Sequence, residues 1–114
     1  MKFLMTMTDI AGQWDNLSNA AQQEVLEQHR EFRQALEDAG VFVDVLHLYG
    51  RDQAVTVRRD EAGEISVVQG PWSDAPEYMG GAYIISTDTL EDAVSWARRG
   101  RFLPGANEIR QIYD

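Results

Sequence analysis

His29 is the residue of this sequence with the best claim to proton-transfer chemistry. It belongs to the series Val25, His29, Phe32 and Leu36, whose spacings of four, three and four residues place them on one face of a helix. Such a face packs against a sheet, and a buried imidazole needs polar partners or an adjacent cavity. Histidine titrates near neutral pH, so we predict that His29 is a general base in a pocket between helix and sheet. The alternative is a core histidine held by one backbone or carboxylate acceptor.

Two aspartates are candidates for orienting this imidazole. Asp44 lies between Val43 and Val45 in an apolar strand sequence, where a carboxylate must be paired, hydrogen-bonded or at an edge. Asp74 belongs to a long loop. Either carboxylate could hold the imidazole tautomer, as in other base–orienter pairs, although an outward-facing Asp44 is the alternative. His47 projects from the strand face opposite to Asp44, so we do not expect the two to share a metal ion.

The loop over residues 69–79 combines aromatic, methionine and acidic side chains. We predict that Trp72, Tyr78 and Met79, together with Phe32 of the helix, line a pocket for a small organic ligand. Because a large aromatic ring on a polar loop loses free energy by exposure, Trp72 is expected to be mostly buried, either against its own barrel or against the partner. The same side chains could instead plug the core or a dimer seam.

A short series of elements must position these residues. Strands are predicted over 2–7, 41–48, 54–59, 64–68, 81–86 and 106–113. Ser18 is the predicted N-cap of a helix over 19–39, and Asp88 that of a helix ending at Gly100. Residues 1–114 thus form one α+β domain with a ferredoxin-like βαββαβ order and an extra β-hairpin after the second strand. Both helices are expected on one face of an antiparallel sheet.

Length, composition and charge exclude several classes of function. The 114 residues suit one domain, and the absence of cysteine excludes disulfide scaffolds and thiolate chemistry. The formal net charge of −9 disfavours binding to nucleic acid or to anionic membranes. No signal peptide or apolar span is evident, so a cytoplasmic location is expected. Nothing in the sequence requires a cofactor.

Several segments, in order along the chain, resemble the YCII-related superfamily and its branch named for a DGPF motif. They are Leu17-Ser18, Gln28-His29-Arg30-Glu31-Phe32, Ala39-Gly40-Val41, Thr56-Val57-Arg58, Gln69-Gly70-Pro71-Trp72, Gly80-Gly81-Ala82-Tyr83-Ile84-Ile85 and Glu108-Ile109-Arg110. The resemblance implies a dimeric α+β barrel, in which two ferredoxin-like protomers pack sheet to sheet. It also implies a His–Asp pair as a candidate active site.

The chain departs from the DGPF motif at two positions, because Gln69 replaces its aspartate and Trp72 its phenylalanine. As a whole, the resemblance predicts a homodimer that binds a small organic molecule. The predicted activity is a cofactor-independent lyase, isomerase or dehydrochlorinase reaction, with His29 as the base and Asp44 or Asp74 as the carboxylate that orients it. The alternative function is a non-catalytic regulatory module with a protein partner, such as a sigma factor of the extracytoplasmic-function class. A solvent-reachable cavity at His29 favours the enzyme, whereas a filled core and an exposed patch elsewhere favour the module.

Overall fold

The fold is a four-stranded antiparallel sheet with two helices and a separate two-stranded arm. The computed structural model describes residues 1–113. In chain order its elements are β1 (Lys2–Ile10), α1 (Asn19–Asp38), β2 (Phe42–His47), a 3₁₀ turn (Arg51–Gln53), β3 (Val55–Arg59), β4 (Ile65–Gln69), β5 (Glu77–Ser86), α2 (Leu90–Arg99) and β6 (Asn107–Gln111). The sheet order is β2-β5-β1-β6, and every pairing in it is antiparallel. This is the α+β, ferredoxin-like arrangement that the sequence predicts, with the extra hairpin as β3 and β4.

Helix α1 begins and ends where local chemistry places its caps. The Ser18 hydroxyl accepts a hydrogen bond from the Ala21 N–H at 3.1 Å, which satisfies one of the free donors of the first turn. Gly40 adopts a φ of +72° just after the helix, a conformation that glycine reaches without strain. Both boundaries agree with the prediction for this helix.

The core lies between the helices and one face of the sheet. Phe3 and Met5 of β1 and Tyr83 and Ile85 of β5 are buried there, against an apolar face of α1. Phe32 of α1 is 4% exposed, and its ring meets the Tyr83 ring edge to face, with centroids 5.3 Å apart. The series predicted from helical spacing therefore faces the sheet, and Phe32 is a core residue.

The two central strands are longer than predicted. β1 continues to Ile10, and β5 starts at Glu77 rather than at 81, because their pairing resumes beyond a bulge between Met7 and Thr8. A bulge inserts an unpaired residue without ending the ladder, so the alternation of side chains does not reveal the extension. The irregular loop is correspondingly shorter, over residues 70–76.

The N-cap of helix α2 lies one residue later than predicted. The Thr89 hydroxyl accepts a hydrogen bond from the Asp92 N–H at 3.1 Å, so Thr89 and not Asp88 is the N-cap. The capping residue must directly precede the first helical residue, and Leu90 is that residue. Among residues 1–113, neither helix is long and apolar enough to cross a membrane.

The arm, residues 55–69, is a two-stranded sheet of its own. Val57 pairs with Val67 at its centre. Five large apolar side chains of the arm are more than half exposed: Val55, Val57, Ile65, Val67 and Val68. The radius of gyration is 16.3 Å, whereas a compact domain of this length has one of about 13 Å. The arm therefore extends away from the main body.

Candidate functional site

His29 lies half-buried between α1 and the segment after α2. Its ring meets the Phe102 ring edge to face, with centroids 4.8 Å apart. The pKa of His29 is lowered, first by burial and then by the nearby positive charges of His47 and Arg101. Its Nδ1 atom is buried and has no hydrogen-bond partner. The imidazole is consequently neutral at neutral pH.

The unpartnered Nδ1 determines which tautomer is expected. A buried N–H without an acceptor costs more than an unused lone pair, so we expect the proton on Nε2 and a bare acceptor at Nδ1. Protonation of this ring would create an unpartnered N–H inside the protein, which agrees with the lowered pKa. In this arrangement the lone pair on Nδ1 is unused and is shielded from solvent by the surrounding side chains.

Asp44 does not orient His29, contrary to the predicted pairing. Asp44 lies opposite Ile84, while Val45 lies opposite Tyr83, whose side chain is buried under the helices. Directly opposed residues share a face, so the exposed Asp44 is on the side of the sheet away from α1. A register shift between Phe42 and Asp44 allows Phe42 and Val45 both to pack against the core, and it moves Asp44 to the other side. Its carboxylate accepts a hydrogen bond from the Val45 N–H instead.

A cavity lies at the base of the arm, and we call it the arm-base cavity. Its volume is about 620 Å³, and it opens to solvent between the 3₁₀ turn, the start of β3, the loop 70–76 and the start of β5. Trp72, Tyr78 and Met79 all line it. Its wall also includes Leu48, Arg51, Val55, Thr56 and Glu77.

The remaining predicted site residues lie elsewhere or differ in burial. Phe32 lies in the core and not in the cavity wall. Asp74 is exposed and does not line the cavity, and neither does His29. Trp72 is 76% exposed in the chain, so the expectation that its ring packs against its own barrel is wrong, whereas its burial against a partner stays a prediction. The ring stands at the cavity mouth because the loop is anchored by its backbone rather than by this side chain.

Three side chains anchor the loop 70–76, each through a backbone carbonyl. The Thr56 hydroxyl donates to the Gly70 carbonyl at 2.8 Å, and Arg58 Nη2 donates to the Trp72 carbonyl at 2.7 Å. Arg51 Nη1 donates to the Ala75 carbonyl. Because these donors come from the 3₁₀ turn and from β3, they connect the arm to the wall of the cavity.

Two arginines near these sites make contacts that the sequence did not predict. The Arg51 guanidinium carbon lies 4.2 Å from the centroid of the Tyr78 ring, although 27 positions separate the two residues. Arg101 donates to the carbonyls of Leu103 at 2.6 Å and Pro104 at 2.8 Å. Neither arginine belongs to a motif, and no local signal in the sequence could have identified these contacts.

Arg101 has a structural explanation and is not assigned to a ligand site. Burial lowers its pKa, while the carboxylates of Asp9 and Glu77 act in the opposite direction. The guanidinium closes the turn between α2 and β6 through its bonds to backbone oxygens. Within residues 1–113, no group of three His, Asp or Glu side chains is placed to hold a metal ion.

The fold and these sites define a small ferredoxin-like α+β protein with a cavity at the base of its hairpin. A family model described as the YCII-related domain matches residues 1–114. The chain therefore belongs to the YCII-related family. A comparison with curated proteins finds no match.

Proposed function

We propose that this protein binds a small, mainly apolar organic molecule in the arm-base cavity. The observation that carries the proposal is the cavity itself, whose volume of about 620 Å³ falls within the range of pockets that enclose small ligands. Leu48, Val55 and Met79 supply apolar walls, and Trp72 and Tyr78 supply aromatic ones. An apolar molecule that enters would remove these walls from water.

The exposed Trp72 is in a position to contact a molecule bound in the arm-base cavity. Its ring is available to stack on a bound molecule, since most of its surface is free in the protomer. A neutral, environment-sensitive naphthalene dye such as Prodan should bind saturably, with a blue-shifted emission. Trp72→Ala should weaken this binding roughly two- to tenfold, the scale of an aromatic contact.

Matched variants distinguish binding in the cavity from adsorption on the arm. Met79→Asp places a carboxylate in the cavity wall and should abolish dye binding. Val67→Asp changes an exposed residue of the arm outside the cavity, and Trp14→Ala removes a tryptophan that does not line it. Both controls should bind the dye as the native protein does. The proposal would be refuted if Met79→Asp and Trp72→Ala both bound the dye as tightly as the native protein does.

A second candidate function is proton transfer by His29, favoured by its neutral imidazole and its unpartnered Nδ1. Because Nδ1 is buried, a small organic molecule would reach it only after the side chains around it had moved. The ring could then accept a hydrogen bond, and after it a proton, in a cofactor-independent lyase, isomerase or dehydrochlorinase reaction. Because Asp44 and Asp74 do not contact it, the base would act without an orienting carboxylate. This activity is separate from the cavity, since His29 does not line it.

We also propose that two copies of the chain form a homodimer. The open face of the sheet, the side away from the helices, carries partly exposed apolar residues from three adjacent strands: Leu4, Leu46 and Ile84. Leu46 is 40% exposed there, and the arm adds its own exposed valines. Soluble monomers rarely expose large contiguous apolar patches. A second copy packed on the open face would cover it.

A further inference from the structure

Arg51 is the cation of the arm-base cavity and has no carboxylate partner in the described chain. It is half-buried at the 3₁₀ turn and contributes to the cavity lining. The two ion pairs within residues 1–113 both lie on α1, between Arg30 and Glu27 and between Arg33 and Glu37. A guanidinium in a mainly apolar cavity without a counter-ion favours an anionic ligand.

The position of Arg51 leaves hydrogen-bond donors for such a ligand. Its guanidinium is held over the Tyr78 ring, and Nη1 donates to the Ala75 carbonyl. Arginine carries five N–H donors, so several are still free after that bond. The group is therefore oriented before a ligand arrives, which reduces the entropy lost when a carboxylate binds to it.

The other charged group of the cavity wall is already engaged. Glu77 Oε2 accepts a hydrogen bond from the Thr8 hydroxyl at 2.6 Å, outside the arm-base region. The Glu77 carboxylate is also close enough to Arg101 to affect the pKa of that guanidinium. Glu77 thus has partners on the β1 side, whereas Arg51 has only a backbone carbonyl and an aromatic ring.

We infer that the arm-base cavity selects an organic carboxylate with a flat apolar body. The carboxylate would bind the free edge of the Arg51 guanidinium, and the body would lie between Trp72 and the apolar walls at Val55 and Met79. The net charge of −9 gives the protein no general attraction for anions, so selectivity must come from Arg51. This inference rests on the proposed function and names the ligand class of the same cavity.

The test compares aromatic carboxylates with their neutral amides. Benzoate, 2-naphthoate and 4-phenylbenzoate are titrated by calorimetry against the native protein, alongside the three corresponding primary amides. We expect at least one acid to bind about tenfold or more tightly than its amide, the scale of a hydrogen bond to a charged group. Arg51→Gln should lower the affinity for that acid by about 10- to 100-fold, and the affinity for the amide much less, since the amide would lose only the effect of one loop anchor.

Arg58→Gln is the matched control, because Arg58 also donates to a loop carbonyl but does not line the cavity. It should affect the acid and its amide equally. Equal binding of acids and amides by the native protein would overturn the inference while leaving the proposed function intact. An equal loss of acid affinity in both arginine variants would also overturn it, since Arg51 would then act only by holding the loop. If the native protein bound none of the acids, none of the amides and not the neutral dye, the proposed function itself would be refuted.

Discussion

At the scale of single residues, His29 has a neutral ring because burial disfavours its charged form. Its pKa lies below the ordinary value of about 6.5, whereas in the unfolded chain the ring titrates normally. As the pH falls through that ordinary value, the unfolded state therefore takes up a proton before the native state does. The free energy of unfolding should decrease as the pH falls from 7.5 towards and below 6.5.

The comparison of His29→Gln with the native protein isolates this contribution. Urea denaturation across that pH range should show a shallower pH dependence for the variant. His47→Gln removes a charge that helps to lower the pKa of His29, so it should make the pH dependence shallower by a smaller amount, because burial is the larger cause. A steeper or unchanged slope for His29→Gln would show that another group causes the decrease.

The same variant tests proton transfer by His29. Glutamine keeps a donor and an acceptor at a similar reach, so the stability cost at pH 7.5 should be at most about 1–2 kcal/mol. Any turnover found in a screen of small organic substrates should fall by roughly 10²-fold or more, the scale of general acid–base catalysis. A variant that is clearly less stable but fully active would assign His29 to the core and end the proton-transfer hypothesis.

Two adjacent glycines differ in what they permit at the centre of the sheet. A Cβ on Gly81 would lie 2.5 Å from the Leu46 carbonyl oxygen, so β2 and β5 would have to separate. A Cβ on Gly80 would meet only the end of the Asp9 side chain, which can rotate away. Gly81→Ala should therefore destabilise the protein by about 1–3 kcal/mol, and Gly80→Ala by less. Chemical denaturation of both variants checks this order, and the reverse order would contradict the packing described at β2.

At the scale of elements, two substitutions test which residue is the N-cap of α2. Thr89→Ala removes the acceptor for the Asp92 N–H and should cost about 1 kcal/mol. Asp88→Asn leaves that bond intact and should cost clearly less. Thermal denaturation of the two variants measures the difference. A larger loss for Asp88→Asn would restore Asp88 as the cap.

At the scale of the whole molecule, the open face and the arm lead to a prediction about assembly. Sedimentation at micromolar concentration should give twice the 12.9 kDa mass of the chain. Leu46→Asp places a charge among the apolar residues of the open face and should yield a monomer. Leu26→Asp is the control, because Leu26 is exposed to a similar extent but lies on α1. A native monomer, or a dimer that survives Leu46→Asp, would refute packing through this face.

Local features of the sequence determined the order of elements and much of the core. Helical spacing predicted the face of α1 that meets the sheet, because one period of 3.6 residues relates neighbours along the chain. Ser18, Gly40 and Gly63 marked a helix start, a helix end and a hairpin turn, since caps and positive φ angles depend on adjacent residues. These features need no knowledge of the tertiary structure.

Only the tertiary structure decided which side chains share a site. A register shift in β2 placed Asp44 on the face away from His29, and strand alternation does not record such a shift. Arg51 meets Tyr78 only because the loop 70–76 folds back onto the 3₁₀ turn. The size and apolar character of the Trp72 ring predicted that it would be buried. Hydrogen bonds to the backbone of its loop hold the loop in place and leave the ring exposed at the cavity mouth. Contacts between distant segments depend on register and loop anchoring, which the local periodicity of a sequence does not encode.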